Sequence, residues 1–295
     1  MTMKLAAIDI GSNAARLLIS EASPNSLGRM DFTKVNLVRV PLRLGFDVFS
    51  DGAISAKRAA HLLSTIQAYK LLLEVYEVKH LKACATSAMR DASNSEEILQ
   101  KVKQLTGIDI QVISGQEEAS YLFESHVAEQ LDKSRSYMYI DVGGGSTEVT
   151  LFNNNAMVYE ESFNIGTIRI LQKQVKDEQW QYMKDKIKQH IKGVNPVIAI
   201  GSGGNINKIF SLSKRKEGKP LTLDILKDYY KEFSNFTVEE RIHLYNLRED
   251  RADVIVPALQ IYVNIMRWAD ATEIYVPKIG LADGLIQSLY AEVRR

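Results

Sequence analysis

Tyr139-Ile140-Asp141-Val142-Gly143-Gly144-Gly145-Ser146-Thr147-Glu148 is the stretch on which the reading of this chain turns. An apolar strand runs directly into a carboxylate, three consecutive glycines, two hydroxyls and a second carboxylate. Such a run serves packing poorly and suits a phosphate–metal complex. Glycines let the backbone turn sharply and approach a ligand, so the amide N–H groups of Gly143, Gly144, Gly145 and Ser146 can converge on phosphate oxygens. Asp141 and Glu148 are hard oxygen ligands of the kind Mg²⁺ takes, one or two carboxylates with water and substrate phosphate filling the remaining positions.

The same signature occurs near the N-terminus, where Ile8-Asp9-Ile10-Gly11-Ser12 matches Ile140-Asp141-Val142-Gly143-Gly144. Around the first copy, strands are expected at 4–10, 15–21 and 34–44. A helix opens at Ser55 with Leu62, Ile66, Tyr69 and Leu73 at helical spacing. A strand at 81–85, a helix at 96–105 and a strand at 108–113 complete the order βββαβαβ. Around the second copy the pattern restarts, with strands at 137–141, 147–152 and 157–163, a helix near 176–191 and a strand at 197–200. Helices at 223–233, 238–245, 251–268 and 281–293 and a short strand at 273–276 account for the rest. A repeat this long indicates duplication of a whole domain rather than a solenoid. The expectation is an α/β protein of two duplicated domains, 1–123 and 124–279, each built on a mixed sheet and facing the other across a central cleft. Asp9 then joins Asp141 and Glu148 as a candidate metal ligand, and Gly11, Ser12 and Asn13 form a second phosphate turn.

The composition is that of a globular protein: 295 residues, 45% hydrophobic and 25% charged. With 37 basic and 36 acidic residues the formal charge is +1, which provides no electrostatic footprint for duplex DNA or an anionic membrane. The single cysteine, Cys84, lies in an apolar strand pattern and reads as a buried thiol of a reducing compartment. No signal peptide or membrane-length apolar run is visible, so a cytoplasmic protein is expected. His61, His80, His126, His190 and His243 lack metal-ligand spacing. No Walker lysine loop, nucleophile elbow or Cys/His pairing is present. Direct attack by water is therefore simpler than a covalent intermediate.

In Ile113-Ser114-Gly115-Gln116-Glu117-Glu118-Ala119, Ser114 and Glu117 form a capping box. Glu117 thus has a local role, which leaves Glu118 as candidate general base; the alternative is a first-turn acid that complements the helix dipole. Arg90, in Thr86-Ser87-Ala88-Met89-Arg90 after a strand, is a candidate phosphate clamp that stabilises charge on a transferring group, or else a solvated surface arginine. Gly203 and Gly204, in Gly201-Ser202-Gly203-Gly204-Asn205, either bind further phosphates or a nucleoside or permit close helix–strand packing. The basic run 213–219 reads as a solvated loop.

Together these motifs resemble the Ppx/GppA phosphatase family of the actin, Hsp70 and sugar-kinase superfamily. The resemblance rests on Ala7-Ile8-Asp9-Ile10-Gly11-Ser12-Asn13 with Arg16, on the Arg90, Glu118 and Asp141–Glu148 segments quoted above, and on Arg251-Ala252-Asp253-Val254-Ile255. It implies two actin-like, ribonuclease H-like domains, with the helix of 280–295 packing back on the first. It implies release of orthophosphate from inorganic polyphosphate, or hydrolysis of guanosine pentaphosphate. Glu118 would be the base, Asp141 and Glu148 would hold Mg²⁺ or Mn²⁺, and the glycine turns, Arg16 and Arg90 would hold phosphates. The chain has Ala282-Asp283 where relatives commonly carry Arg-Glu. It stops where many relatives continue into further helical domains, which disfavours high processivity on long polyphosphate. A small-metabolite kinase and a non-catalytic polyphosphate or alarmone sensor are the competing readings, and a homodimer is left open.

Overall fold

The structure is a computed structural model that describes residues 2–26, 29–124, 135–154, 156–194 and 196–294. The chain divides into two compact units, Met1–Ser125 with Gly280–Arg295, and His126–Ile279. Residues 125–134, just past the expected boundary at 123/124 and including His126, lie outside the described residues.

The first unit runs β1 (Met3–Ile10), β2 (Ala14–Pro24), β3 (Met30–Pro41), α1 (Leu44–Asp51), α2 (Ala56–Val75), β4 (His80–Ala85), α3 (Ser87–Asp91), α4 (Ser95–Thr106), β5 (Gln111–Val112) and α5 (Gly115–Glu124). Its sheet has the order β3-β2-β1-β4-β5. β1 pairs antiparallel with β2 and parallel with β4, the mixed sheet that the motif order predicts. Both faces of β1 are covered, so its apolar residues run nearly unbroken, and Asp9 is buried among them.

The second unit runs β6 (Ser136–Val142), β7 (Thr147–Asn153), β8 (Ala156–Phe163), α6 (Thr167–Leu171), α7 (Asp177–His190), β9 (Val197–Ser202), α8 (Gly204–Leu212), β10 (Leu221–Thr222), α9 (Leu223–Ser234), α10 (Val238–Tyr245), α11 (Glu249–Ala252), α12 (Ile255–Trp268) and β11 (Glu273–Tyr275). The strand order is β10-β11-β9-β6-β7-β8. Its core joins Ile140, Val149 and Ala199 of the sheet to the apolar stripe of α12, Leu259, Tyr262 and Met266. The last helix, α13 (Leu281–Val293), belongs to the first unit. There Leu281, Leu285 and Leu289 pack on Leu5, Ala7 and Leu18.

Several elements differ from the sequence reading. The strand expected at 34–44 ends at Pro41, because Arg43 takes the left-handed conformation (φ 55°) and starts α1. The strand expected at 108–113 pairs only over Gln111–Val112. The helix expected at 251–268 is two helices, α11 and α12. Pro257 lacks the N–H that a continuous helix needs, and it sits in the first turn of α12, where such N–H groups have no intrahelical partner. The helix α6 was not anticipated. No helix among the described residues is long and apolar enough to cross a membrane.

Candidate active site

Four adjacent strands of the second sheet carry one polar row. Register pairing sets Ser202 of β9 beside Asp141 of β6, Asp141 beside Glu148 of β7, and Glu148 beside Ser162 of β8. Paired residues point to the same face of a sheet. The Ser202 hydroxyl donates to Asp141 Oδ1 at 2.7 Å, and the Ser162 hydroxyl donates to Glu148 Oε1 at 2.8 Å. Asp141 and Glu148 bring carboxylate oxygens within 4.8 Å of each other, and Glu148 is only 2% exposed. Two like charges at this separation, one of them buried and the other half-buried, repel. An all-oxygen donor pair of this kind fits a hard divalent cation, which relieves that repulsion.

The glycine loop between these carboxylates is held from behind. The Gly143 N–H donates to the Ser146 carbonyl at 3.0 Å. The Gly143 and Gly144 carbonyls accept from the Thr167 and Ile168 N–H groups at 3.1 and 2.8 Å, and the Gly145 carbonyl accepts from Arg169 Nε at 2.7 Å. The start of α6 therefore docks directly on the triglycine backbone. Gly166 makes this approach feasible, since a Cβ there would lie 2.4 Å from the Gly144 oxygen.

The loop after β9 meets the same row. Gly203 has φ 104°, a conformation that favours glycine, and a Cβ there would lie 3.2 Å from Asp141 Oδ1. The fully buried Tyr262 hydroxyl of α12 donates to the Ser202 carbonyl. Burial first, and the charge of Asp141 second, push this phenol well above its usual range, so it stays a neutral donor. The Gly204 carbonyl accepts from Arg251.

In the first unit the corresponding row differs in charge. Asp9 has Arg16 as its strand neighbour, where Asp141 has Glu148, and Arg16 is in turn beside Arg39. Arg16 Nη1 lies 2.8 Å from Asp9 Oδ2, so an arginine neutralises this carboxylate within its own sheet. Gly11 closes the β1–β2 turn by donating to the Ala14 carbonyl at 3.0 Å. The carbonyls of Ser12 and Asn13 each accept at 2.9 Å, from the Gly45 and Arg43 N–H groups respectively. The Ser12 hydroxyl meets that of Ser87 at 2.8 Å. Ser87 opens α3, which also carries Arg90, and Arg90 Nη1 donates to the Ile113 carbonyl at 2.7 Å. The capping box is present: Glu117 Oε2 accepts from the Ser114 N–H at 2.8 Å, and the Glu117 N–H donates to Ser114 Oγ at 3.1 Å. Hydrogen bonds to the carboxylate from the Ser114 N–H first, and from the Ser114 side chain second, hold Glu117 below its usual range. Glu118 follows in the same turn and is 8% exposed.

The structure thus gathers Asp141, Glu148, residues 143–146 and Gly203 in the second unit, and Asp9, Arg16 and the Ser12 turn in the first. Sequence reasoning missed Ser162, Ser202, Tyr262 and Arg169. Only Ser202 carried a signal, its place inside a glycine loop at the end of a strand.

The chain matches the Ppx/GppA phosphatase family over residues 25–292. It is 25% identical over 306 residues to exopolyphosphatase 1 of Mycobacterium tuberculosis, covering 96% of this chain and 87% of the relative. It is 26% identical to a guanosine-5'-triphosphate,3'-diphosphate pyrophosphatase of Pseudoalteromonas translucida, covering 96% of this chain but only 57% of the relative. A bifunctional 3-dehydroquinate synthase/phosphatase of Fusobacterium nucleatum is 32% identical over 171 residues, 57% of this chain and 26% of that protein. The crystal structure of the Aquifex aeolicus member of the Ppx/GppA family superposes with a TM-score of 0.78 and 25% identity, over the full length of both chains. With its two mixed sheets, its acidic strand row and this match across most of its length, the chain belongs to the Ppx/GppA phosphatase family.

Proposed function

We propose that the protein hydrolyses terminal phosphoanhydride bonds and releases orthophosphate from inorganic polyphosphate. The observation that carries this reading is the Asp141–Glu148 pair at the two ends of a glycine loop whose backbone is fixed by α6. Asp141 and Glu148 would hold Mg²⁺ or Mn²⁺, which supplies charge neutralisation for the phosphate oxygens. Asp9 is a further candidate ligand, although its charge is already offset by Arg16.

The residues of the chain supply positioning and proton transfer. The amides of Gly144, Gly145 and Ser146, with Ser12, Asn13 and Arg16, cradle phosphates, while Gly143 and Gly11, whose N–H groups donate to the Ser146 and Ala14 carbonyls, shape the two turns; Gly203 and Gly204 extend this set. Glu118 accepts a proton from water as the water oxygen bonds to the terminal phosphorus. The bridging P–O bond breaks in line, and the shortened chain leaves with the electron pair. Arg90 is tied to Ile113 by one N–H, and its remaining donors take oxygens of the transferring group. This division of labour fits phosphoryl transfer, which asks the protein for orientation and charge stabilisation.

Guanosine pentaphosphate is the second substrate reading, motivated by the Pseudoalteromonas relative. A phosphate-release assay with Mg²⁺, comparing long polyphosphate, short polyphosphate and guanosine pentaphosphate, ranks the substrates. Glu118→Gln should cut turnover at least ~100-fold with the fold intact, the usual worth of a general base. Near-normal release by that variant removes Glu118 from this role. Binding without turnover by the unaltered protein supports a sensor, and transfer from ATP to a hydroxyl acceptor supports a kinase.

A further inference from the structure

We infer that Ser202 and Ser162 are positioning residues for the cation-holding carboxylates, and that Tyr262 secures Ser202. This rests on the proposed function in one respect, the assignment of Asp141 and Glu148 as cation ligands.

The argument starts from the register. Ser202, Asp141, Glu148 and Ser162 occupy one level of four neighbouring strands, with the serines outside and the acids inside. Each serine donates to one oxygen of its neighbouring acid, Oδ1 of Asp141 and Oε1 of Glu148. A carboxylate with one oxygen held in this way has its plane fixed, and its second oxygen is presented in a defined direction. Without the hydroxyls, χ2 of Asp141 and χ3 of Glu148 each lose one restraint, and such terminal torsions are broad. Partners that orient a ligand in this manner are worth 10–100-fold in metal affinity.

The two serines are not held equally. Ser202 ends β9, where a strand terminus without support frays. The Tyr262 hydroxyl donates to its carbonyl from α12, and Gly203 turns the chain away with a φ that leaves Asp141 Oδ1 room. A buried phenol in the middle of a core helix would otherwise be a costly substitute for phenylalanine, since its hydroxyl must find a partner. Tyr262 thereby links the core of the second unit to the orientation of Asp141. Ser162, on edge strand β8, is held in register by pairing with β7 and through its neighbour Glu161, which accepts from the Tyr182 hydroxyl of α7 at 2.8 Å.

The test uses the full chain without substrate, and Mn²⁺ as the probe. Free Mn²⁺ is followed by electron paramagnetic resonance during titration, with melting temperature measured for every variant. Ser202→Ala and Ser162→Ala should each weaken Mn²⁺ binding about 10–100-fold. Ser202→Thr, which keeps the hydroxyl, should restore most of the affinity, and Tyr262→Phe should give a smaller, several-fold loss. In turnover assays the serine variants should raise the Mg²⁺ concentration needed for half-maximal rate far more than they lower the rate at saturating Mg²⁺. Wild-type Mn²⁺ affinity in both serine variants, with Asp141→Asn deficient, overturns the positioning role and leaves the ligand assignment standing. Wild-type affinity in Asp141→Asn overturns both.

Discussion

Replacing Gly166 by alanine should displace the triglycine loop, and the structure sets the size of the effect. The added Cβ would lie 2.4 Å from the Gly144 oxygen and 2.5 Å from the Gly144 and Gly145 carbonyl carbons, whereas ordinary contact begins at 3.4 Å. Relief therefore needs a movement of roughly 1 Å, and the atoms struck are backbone, which cannot swing aside as a side chain can. The φ of Gly166, −137°, is accessible to alanine, so the contact alone carries the cost. Moving α6 away stretches the bonds from Thr167, Ile168 and Arg169 to the glycine carbonyls. Overpacking of this kind costs ~1–3 kcal/mol, and a misplacement of ~1 Å at a reacting centre costs on the order of 10²-fold in rate. The assay is phosphate release from polyphosphate at saturating Mg²⁺, alongside thermal unfolding. A fall of several degrees in melting temperature is expected, at ~2–4 °C per kcal/mol, with a rate loss near 100-fold. Gly218→Ala is the control. Its φ of +77° is strained for alanine, yet nothing lies within 4 Å, so it should lose about 1 kcal/mol and keep its rate. Wild-type rate and stability in Gly166→Ala would refute the claim that α6 fixes the loop.

Gly284→Ala should destabilise the first unit by about 3 kcal/mol or more, because its Cβ would fall 1.8 Å from the Tyr121 carbonyl oxygen where α13 crosses α5; a denaturant midpoint equal to wild type contradicts this. Arg16→Ala leaves the buried Asp9 carboxylate without its 2.8 Å partner. A loss of about 1–3 kcal/mol is expected, below the 3–5 of a fully buried pair because Arg16 is 32% exposed. Adding Asp9→Asn should recover much of it, and no recovery in the double variant counts against the pairing. Burial pushes the Cys84 thiol up to about 12, so little reactive thiolate exists at pH 8. The native protein should resist a disulfide-exchange reagent at that pH and expose one thiol per chain on unfolding, whereas rapid native labelling would contradict the burial.

Much of the fold is legible locally. The helices α2 and α13 follow from apolar spacing, α2 begins at its Ser55 cap, and the mixed-sheet order follows from the repeated strand–turn signature. What escaped was decided by single conformations: the left-handed Arg43 that ends β3 early, and Pro257, which splits one long apolar stretch into α11 and α12. The strand expected at 108–113 is present but shorter, because only Gln111–Val112 pair at the sheet edge.

The candidate site divides along the same line. Asp141 and Glu148 flank one hairpin turn, so their pairing across β6 and β7 follows from nearby sequence alone. The capping box that occupies Glu117 is likewise a local matter. Ser202, 61 positions from Asp141, and Tyr262, a further 60 beyond, are brought to it only by tertiary structure. Period-two alternation tells which face of its own strand a residue takes. Which strand lies alongside, and at what level, is set by burial of the helices that connect them, and that is a property of the whole core. The stretch from Tyr139 to Glu148 thus specified its own acids and turn, while the assembled sheet chose the hydroxyls that hold them.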